Sequence, residues 1–338
     1  AHAKQVAILP APCEAVGLWH AQAHEWLLQS NNRFWIGIKD DEYPARLLDL
    51  KDPPLILFGE GNRDLLNCRA VAMVGSRNAT RAGIGNANGF AQAICKAGWV
   101  VISGLAEGID GAAHAGALHA GGGTIAVLGC GPDQVYPKHH AGLRKHILDS
   151  HGLVLSEYPP GTAPQPAFFP RRNRIIAALS DALLVVEAAM RSGSLITARV
   201  ASQLGRPVAA IPGSIHSSQS KGCHDMIKKG AMLVETAQEL LEEARATLPD
   251  SKIEYGTAGT PGAALGAPVT EEASQADLTP DMKRILTMLD TTAQHADLLG
   301  QEAGLGADET LAALTELELL GLALGESGNR WLRANGVF

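Results

Sequence analysis

Six short apolar runs in the middle of the chain alternate with segments of helical spacing. They cover residues 71–74, 99–102, 124–128, 153–155, 182–186 and 208–211. None of these runs alternates apolar with polar residues, which is typical of strands that are covered on both faces. The pattern predicts an α/β fold with a mostly parallel sheet, whose ligands bind beyond the carboxyl ends of the strands.

Four loops that follow these runs carry glycine beside hydroxyl groups. They are Gly75-Ser76-Arg77, Ser103-Gly104, Ser192-Gly193-Ser194 and Pro212-Gly213-Ser214. Glycine permits close approach of a ligand to the backbone, and the amides at a helix N-terminus attract anions. Plain helix capping is the alternative for any single loop, and Ser194 is a candidate cap of this kind. Four such loops on one edge of a sheet predict a phosphate-binding site.

The segment FFPRRNRIIAALS, residues 168–180, packs three arginines into four positions: Arg171, Arg172 and Arg174. Pro170 and a capping Asn173 would place these arginines on a loop and on the first turn of a helix. Cations there cost about 0.3–1 kcal/mol each unless an anion binds, so we expect a phosphate-bearing ligand. Pairing of the arginines with nearby carboxylates is the alternative.

Phe168 and Phe169 directly precede these arginines in a chain with only 4% aromatic residues. Aromatic faces beside guanidinium groups are the combination that proteins use to bind single-stranded nucleic acid through stacking and charge. The segment therefore predicts a contact with single-stranded DNA, and at least one of the two rings is also a candidate for the core.

Several common kinds of site are not expected. No Gly-x-x-x-x-Gly-Lys-Ser/Thr motif occurs, and Gly-x-Gly-x-x-Gly does not follow the first strand, so no nucleotide cofactor is predicted. The histidines lack the spacing of metal ligands. Spacing identifies no base or nucleophile that would partner Glu107, Asp110 or Glu187, and we expect Glu187 to hold a loop. The prediction is a protein without catalytic residues, cofactor or metal.

The net charge of −7 is concentrated in the C-terminal part, where residues 250–338 hold 14 acidic and 5 basic residues. Residues 246–276, rich in Gly, Ala, Pro and Thr, are predicted to form a flexible linker. The predicted domains are an N-terminal segment (1–65), a core (66–245), this linker and a C-terminal domain (277–338). Five scattered cysteines, no 18-residue apolar run and no signal-like N-terminus predict a cytoplasmic protein without membrane contact.

The C-terminal domain shows three stretches of helical spacing, followed by two strand-like pieces in LALGESGNRWLR. Three helices and a hairpin predict a winged helix. The third helix, near residues 308–320, contains four acidic residues and no Lys or Arg, so phosphate repulsion opposes its insertion into a duplex groove. We expect a protein contact or an effect on a dimer rather than duplex binding.

Several segments of the chain resemble the DNA-processing protein A family, also called Smf, and occur in that family's order. They include VAMVGSRNATRAG, VISGLAEGIDGAAHAGAL, FPRRNRIIAALS and LLVVEAAMRSGSLITARVA, and the resemblance covers about residues 35–245. It implies an extended Rossmann-like fold that binds single-stranded DNA, forms a homodimer and loads the recombinase RecA onto incoming DNA during natural transformation. From the resemblance we expect the helical module that many relatives carry at the N-terminus to be degenerate or truncated in residues 1–35.

The resemblance implies DNA contacts at Gly75, Ser76, Arg77, Phe169, Arg171, Asn173 and Arg174. To these the loop pattern adds Gly104, Ser192, Gly193 and Ser194. Some relatives carry a lysine where this chain has Pro166, and Arg172 is a candidate to compensate for it.

The alternative function is a nucleotide-processing enzyme of the phosphoribohydrolase-like group, which shares the Gly-Ser-Arg loop. The Pro-Gly-Gly-x-Gly-Thr-x-x-Glu signature of that group is absent, and RSGSLITA stands in its place without a catalytic glutamate.

Overall fold

The computed structural model describes residues 14–247, 279–290, 293–319, 322–326 and 329–333. The chain divides into two compact units, residues 1–257 and 258–338, and each has its own hydrophobic core. The predicted linker at 246–276 lies outside the described residues, apart from residues 246 and 247, which end a helix. The domain boundaries therefore stay a prediction.

The described part of the first unit contains nine strands in one sheet. They are β1 (Arg33–Gly37), β2 (Ile56–Gly61), β3 (Ala70–Val74), β4 (Val100–Ser103), β5 (Thr124–Leu128), β6 (Leu153–Ser156), β7 (Ala182–Val185), β8 (Val208–Ala210) and β9 (Met232–Leu233). Their order in the sheet is β1-β2-β6-β5-β4-β3-β7-β8-β9. The pairs from β6 to β9 are parallel, and the six strands predicted from apolar runs are all confirmed.

Eight α-helices among the described residues accompany this sheet. They are α1 (Glu14–Leu28), α2 (Arg81–Lys96), α3 (Ile109–His119), α4 (Ala141–Asp149), α5 (Phe168–Leu179), α6 (Ser194–Gln203), α7 (Lys221–Lys228) and α8 (Ala237–Thr247). Successive strand residues point to opposite faces, so Val71 and Met73 join the core with α2, α3 and α8, whereas Ala72 and Val74 join the core with α5 and α6. Burial on both faces explains why the strands lack alternation.

Strands β1 and β2 lie at one end of the sheet, and the sequence pattern did not predict them. β2 pairs antiparallel with both β1 and β6, so residues from the predicted N-terminal segment extend the sheet of the core. The signal of β1 is weak because only one of its five residues, Ile36, is buried. β9, with two residues, was also missed.

Strand β3 lies at the centre of the parallel part of the sheet. From β3 the chain builds outward through β4, β5 and β6, and it then returns to place β7 on the other side of β3. The loops after β3 and β7 consequently leave in different directions and open a crevice beyond the carboxyl ends of these two strands. In sheets of this kind, that switch point is the usual place for a ligand.

The second unit confirms the predicted winged helix. It consists of α9 (Pro280–Met288), α10 (Ala296–Ala303) and α11 (Ala307–Leu319), with the strands β10 (Gln294–His295), β11 (Ala323–Glu326) and β12 (Arg330–Arg333). The hairpin of β11 and β12 also pairs with β10, and Ile285, Leu314 and Leu317 are fully buried between the elements. Thr279 caps α9, because its side chain accepts a hydrogen bond from the amide of Met282.

Two further predictions concern the described part of the chain. Cys68, Cys95, Cys130 and Cys223 are buried and free, as the scattered spacing predicted, whereas Cys13 lies outside the described residues. None of the helices that the structure describes combines the length and apolarity needed to cross a bilayer.

Candidate functional site

A pocket of about 270 Å³, called here the edge pocket, opens at the switch point between β3 and β7. It brings together loops that are far apart in the sequence, because the carboxyl ends of parallel strands share one edge of the sheet. Most of the predicted contact residues line it: Gly75, Arg77, Phe169, Arg172, Asn173, Ser192, Gly193 and Ser194. Ser76, Gly104, Arg171 and Arg174 lie elsewhere.

The loop between β3 and α2 forms the first wall of the edge pocket. Gly75 cannot be replaced without movement, since a Cβ there would lie 2.5 Å from the Ile109 side chain. The Ser76 hydroxyl is turned inward, where it accepts a hydrogen bond from the amide of Asn78 at 3.1 Å. Ser76 therefore shapes the loop, while the exposed Arg77 side chain lines the pocket.

Glu187, which directly follows β7 and Val186, ties the two loops of the switch point together. Its carboxylate accepts hydrogen bonds from the backbone amide of Thr80 at 2.9 Å and from the Thr80 hydroxyl at 2.6 Å. The same hydroxyl caps α2 by accepting from the amide of Gly83. The loop-holding role that the sequence assigned to Glu187 is confirmed by these contacts.

Arg172 departs from its predicted position at the surface, because only 2% of the residue is exposed. Its Nη1 donates to the carbonyl of Gly104 at 2.6 Å and to the carbonyl of Val127. Burial lowers the pKa of Arg172 and raises the pKa of nearby Asp110, and the attraction between the two opposite charges offsets part of both shifts. Arg172 is thus bound to the inner wall, and a phosphate contact from it stays a prediction.

Asp110 completes this internal network from the first turn of α3. Its Oδ2 accepts hydrogen bonds from the amides of Gly104 at 3.1 Å and Ala106 at 3.4 Å. A Cβ on Gly104 would lie 2.6 Å from the Arg172 guanidinium, so the backbone approaches that close only because residue 104 is glycine. The network fixes the β4–α3 loop against α5.

Helix α5 begins earlier than the sequence predicted. It starts at Phe168 after Ala167, so Pro170 occupies the first turn, where a missing amide hydrogen costs nothing, and Asn173 lies inside the helix. The predicted capping role of Asn173 is wrong, and its Oδ1 instead accepts from Nε of Arg172. Ser194 likewise starts α6 without capping it, since Gly193 is the cap residue and makes no side-chain bond there.

Because α5 turns by about 100° per residue, its three arginines face different surroundings. Arg172 and Asn173 face the edge pocket, whereas Arg174 points to the other side and pairs with Glu157 at 2.5 Å. Arg171 lies 3.3 Å from Asp52 and 3.6 Å from Glu157. The alternative noted for this segment, pairing with carboxylates, is what the structure has for Arg171 and Arg174.

The two phenylalanines of this segment lie in different surroundings. Phe169 lies at the edge pocket, with the Arg77 guanidinium 5.7 Å from its ring centroid. Phe168 stacks on Tyr158 at a centroid distance of 4.2 Å, away from that pocket. Tyr136, whose ring centroid is 5.1 Å from that of Phe169, is a neighbour that sequence analysis missed, because nothing in the sequence links the two positions.

The comparison with protein families agrees with this geometry. Residues 34–245 match the model of the DNA recombination-mediator protein A family, which is well over half of the chain. The chain belongs to this family. Residues 269–329 match the DprA winged helix domain, in agreement with the fold of the second unit.

Individual relatives support the assignment. The chain is 50% identical to DNA processing protein DprA of Streptococcus pneumoniae over 206 residues, covering 61% of this chain and 72% of the relative. It is 38% identical to protein Smf of Escherichia coli over 296 residues, covering 88% of this chain and 76% of the relative.

Two solved structures share the fold. DprA from Streptococcus pneumoniae superposes with a TM-score of 0.62 at 44% identity and covers 68% of this chain and 78% of that structure. DprA from Helicobacter pylori, described for its single-stranded DNA binding mode, gives a TM-score of 0.57 at 30% identity and covers 63% and 96%. The first unit of the present chain therefore has the same extended Rossmann-like fold as these two structures.

Within this DprA fold, no group of three or more potential metal ligands occurs among the described residues. Asp110 lines the edge pocket, but its carboxylate already accepts hydrogen bonds from two backbone amides. Arg172 does not compensate for Pro166 by offering an exposed charge, since its guanidinium is held inside by the Gly104 carbonyl.

Proposed function

We propose that this protein binds single-stranded DNA in the edge pocket and acts as a recombination mediator without catalysing a reaction. One observation carries the proposal. An exposed arginine, Arg77, and the ring of Phe169 lie together in a pocket of about 270 Å³ at the switch point of the sheet. Charge for a phosphate and an aromatic face for a base are the two elements of single-strand binding.

The electrostatics of the edge pocket favour an anion. In the described part of the chain, Arg77 makes no ion pair with a carboxylate, whereas the charge of Arg172 behind it is balanced by the neighbouring carboxylate of Asp110. The N-terminus of α6, at Ser192, Gly193 and Ser194, lines the same pocket, and the positive end of the helix dipole favours an anion there. A phosphodiester at Arg77 would therefore meet complementary charge from two sides.

The same geometry gives little support to the alternative, a nucleotide-processing enzyme. Hydrolysis of an N-glycosidic bond needs a carboxylate or another base that is free to act on water or substrate. Asp110 accepts two backbone hydrogen bonds and is buried, and Glu187 holds Thr80. We infer that both carboxylates serve the scaffold.

The finer parts of the proposal follow from family membership. We propose that the protein works in the cytoplasm as a homodimer, protects incoming strands during natural transformation and transfers them to RecA. Helix α11 carries the exposed residues Asp308, Glu309 and Glu316, which favours a protein contact over duplex binding for the winged helix.

The proposal is tested by measuring fluorescence anisotropy of a labelled 20-nucleotide thymidine strand and of a 20-base-pair duplex at two salt concentrations. We expect the single strand to bind more tightly, and we expect Arg77→Ala to weaken it and to reduce the salt slope by about 0.7, the value for one phosphate contact. Arg63→Ala is the matched control, because it removes an exposed charge, paired with Glu42, at the opposite edge of the sheet.

Equal affinity for strand and duplex, or unchanged binding by the Arg77 variant, would contradict the proposed site. Release of a free base from a nucleoside monophosphate by the purified protein would favour the enzyme instead.

A further inference from the structure

A second, smaller cavity adjoins the edge pocket and is called here the side pocket. Its volume is about 60 Å³, and it shares Arg77, Ala106, Phe169 and Arg172 with the edge pocket. Tyr136 and Glu107 line only the side pocket. The Arg77–Phe169 pair therefore stands between two neighbouring spaces on one surface.

Tyr136 offers an aromatic face at this place. The residue is 44% exposed although it is large and apolar over most of its surface, and its ring is tilted by 40° against that of Phe169. With centroids 5.1 Å apart, the two rings contact each other and leave no room for a base between them, so a base that stacks on Tyr136 is a different one from a base that stacks on Phe169.

The segment that carries Tyr136 is held in place by the same loop that lines the edge pocket. The ring of His140 lies with Nδ1 3.0 Å from the carbonyl oxygen of Leu105, in the β4–α3 loop. His140 also donates its backbone amide to the carbonyl of Pro137 at 3.0 Å. Tyr136 is therefore positioned by a short, bonded segment, so a base that stacks on it does not have to order a free loop.

The charges of the side pocket favour binding of a base over binding of a phosphate. Glu107 is half exposed there, and its carboxylate lies 3.5 Å from Nε2 of His139. A phosphate would be repelled by Glu107, whereas Arg77 offers it a place at the boundary between the two cavities. A volume of about 60 Å³, against about 270 Å³ for the edge pocket, admits only the edge of a base.

We propose that the side pocket and the face of Tyr136 form a second nucleotide subsite, which takes the base next to the nucleotide held in the edge pocket. This inference rests on the proposed binding of single-stranded DNA. In the resulting arrangement, Phe169 and Tyr136 each stack on one base, and Arg77 holds the phosphate between them. Glu107 excludes a second phosphate from the side pocket.

The test compares two strands of equal length at low salt: 20 thymidine nucleotides, and 20 abasic tetrahydrofuran nucleotides with the same phosphates. Tyr136→Ala is expected to weaken binding of the thymidine strand by about fivefold or more, the lower range for loss of one base–aromatic stack, and to leave the abasic strand unchanged. Tyr136→Phe keeps the face and is expected to bind both strands like the unmodified protein. Arg77→Ala is expected to weaken both strands, because phosphates are present in both.

The outcomes separate the two proposals. If the unmodified protein does not bind the thymidine strand, the proposed function fails. If it binds that strand and Tyr136→Ala binds equally well, or loses both strands to the same extent, the second subsite is refuted while single-strand binding stands.

Discussion

At the scale of single residues, one stretch of α5 contains arginines with different roles. Arg172 is buried and holds the carbonyl of Gly104, whereas Arg174 neutralises Glu157 on the other side of the helix. Arg77, from a different loop, is the exposed arginine of the edge pocket. The residue type alone therefore does not tell which guanidinium is available to a ligand; burial and partners decide it.

The approach of Gly104 to Arg172 gives a first prediction. Gly104→Ala places a Cβ 2.6 Å from the guanidinium, and we expect it to lower the free energy of unfolding by about 1–3 kcal/mol, the usual cost of overpacking. Binding of single-stranded DNA should weaken as the β4–α3 loop shifts. Urea unfolding and anisotropy measure the two effects.

Gly193→Ala is the matched control within the same pocket, because no heavy atom lies within 4 Å of a Cβ built there and its φ is −61°. Equal stability of the two variants would show that Arg172 can move away at no cost.

His114 gives a prediction about pH. It is fully buried in α3, and its Nδ1 lies 2.7 Å from the Thr124 hydroxyl, whose proton is donated to the Val101 carbonyl. That hydroxyl must accept, so the neutral ring carries its proton on Nδ1. Burial is the main cause that lowers the pKa of His114 to about 3, with smaller contributions from His140 and Arg172.

The pKa of His114 is therefore lower in the folded protein than in the unfolded chain, where it is about 6.5. The neutral, buried ring contributes its full stability above about pH 6.5, and this contribution is lost as the pH falls towards 3. We expect the free energy of unfolding to decrease by up to about 1.4 kcal/mol per pH unit below pH 6 from this residue alone. His114→Asn should have a shallower dependence over pH 4–6.5 in urea titrations. Parallel curves for the two proteins would contradict the assignment.

At the scale of elements, α5 links the site to the core through its two faces. Ile175 and Ile176 pack under the sheet, Asn173 lines the edge pocket, and Arg174 closes the far side over Glu157. Burial raises the pKa of Glu157, and the positive charge of Arg174 offsets more of this rise than any other group does. Within the described chain, Nε and Nη1 of Arg174 have no hydrogen-bond partner, and its Nη2 makes the pair with Glu157.

This arrangement predicts that two arginine variants separate stability from binding. Arg174→Ala leaves the carboxylate of Glu157 without its closest cation, and we expect a loss of stability of up to about 3–5 kcal/mol. The affinity of the folded protein for single-stranded DNA should change little. Arg77→Ala should show the reverse, with an unchanged melting temperature and weak binding.

Scanning calorimetry and anisotropy at a temperature where both variants are folded measure these effects. Strong loss of affinity in folded Arg174→Ala would restore Arg174 to the DNA contacts that the family resemblance implied.

At the scale of the whole molecule, the two units have separate cores, and the residues of both pockets belong to the first unit. A chain that ends at residue 257 keeps every described residue of the sheet and of α1 to α8. We expect this shortened protein to unfold in one transition and to bind the 20-nucleotide thymidine strand with the affinity of the full chain. A large loss of affinity would assign part of the DNA contact to the winged helix.

The sequence by itself determined the elements whose signals are local. Continuous apolar runs predicted six buried strands, because a strand that is covered on both faces carries few polar residues on either one. The loops of the switch point were also predicted, because glycine and hydroxyl residues after those runs mark the carboxyl edge of the sheet. The winged helix was predicted from helical spacing. Family membership was also available from motif order alone.

Only the tertiary structure decided which side chains share the edge pocket. Because α5 starts at Phe168 rather than near Asn173, the arginines are helical residues, and the helix sets the direction of their side chains. In this arrangement Arg171 lies beside Asp52 and Arg174 lies beside Glu157. The position of Tyr136 beside Phe169 depends on the order of strands in the sheet, as does the pairing of β2 with β6. Contacts between distant segments arise from packing, and no spacing along the chain records them.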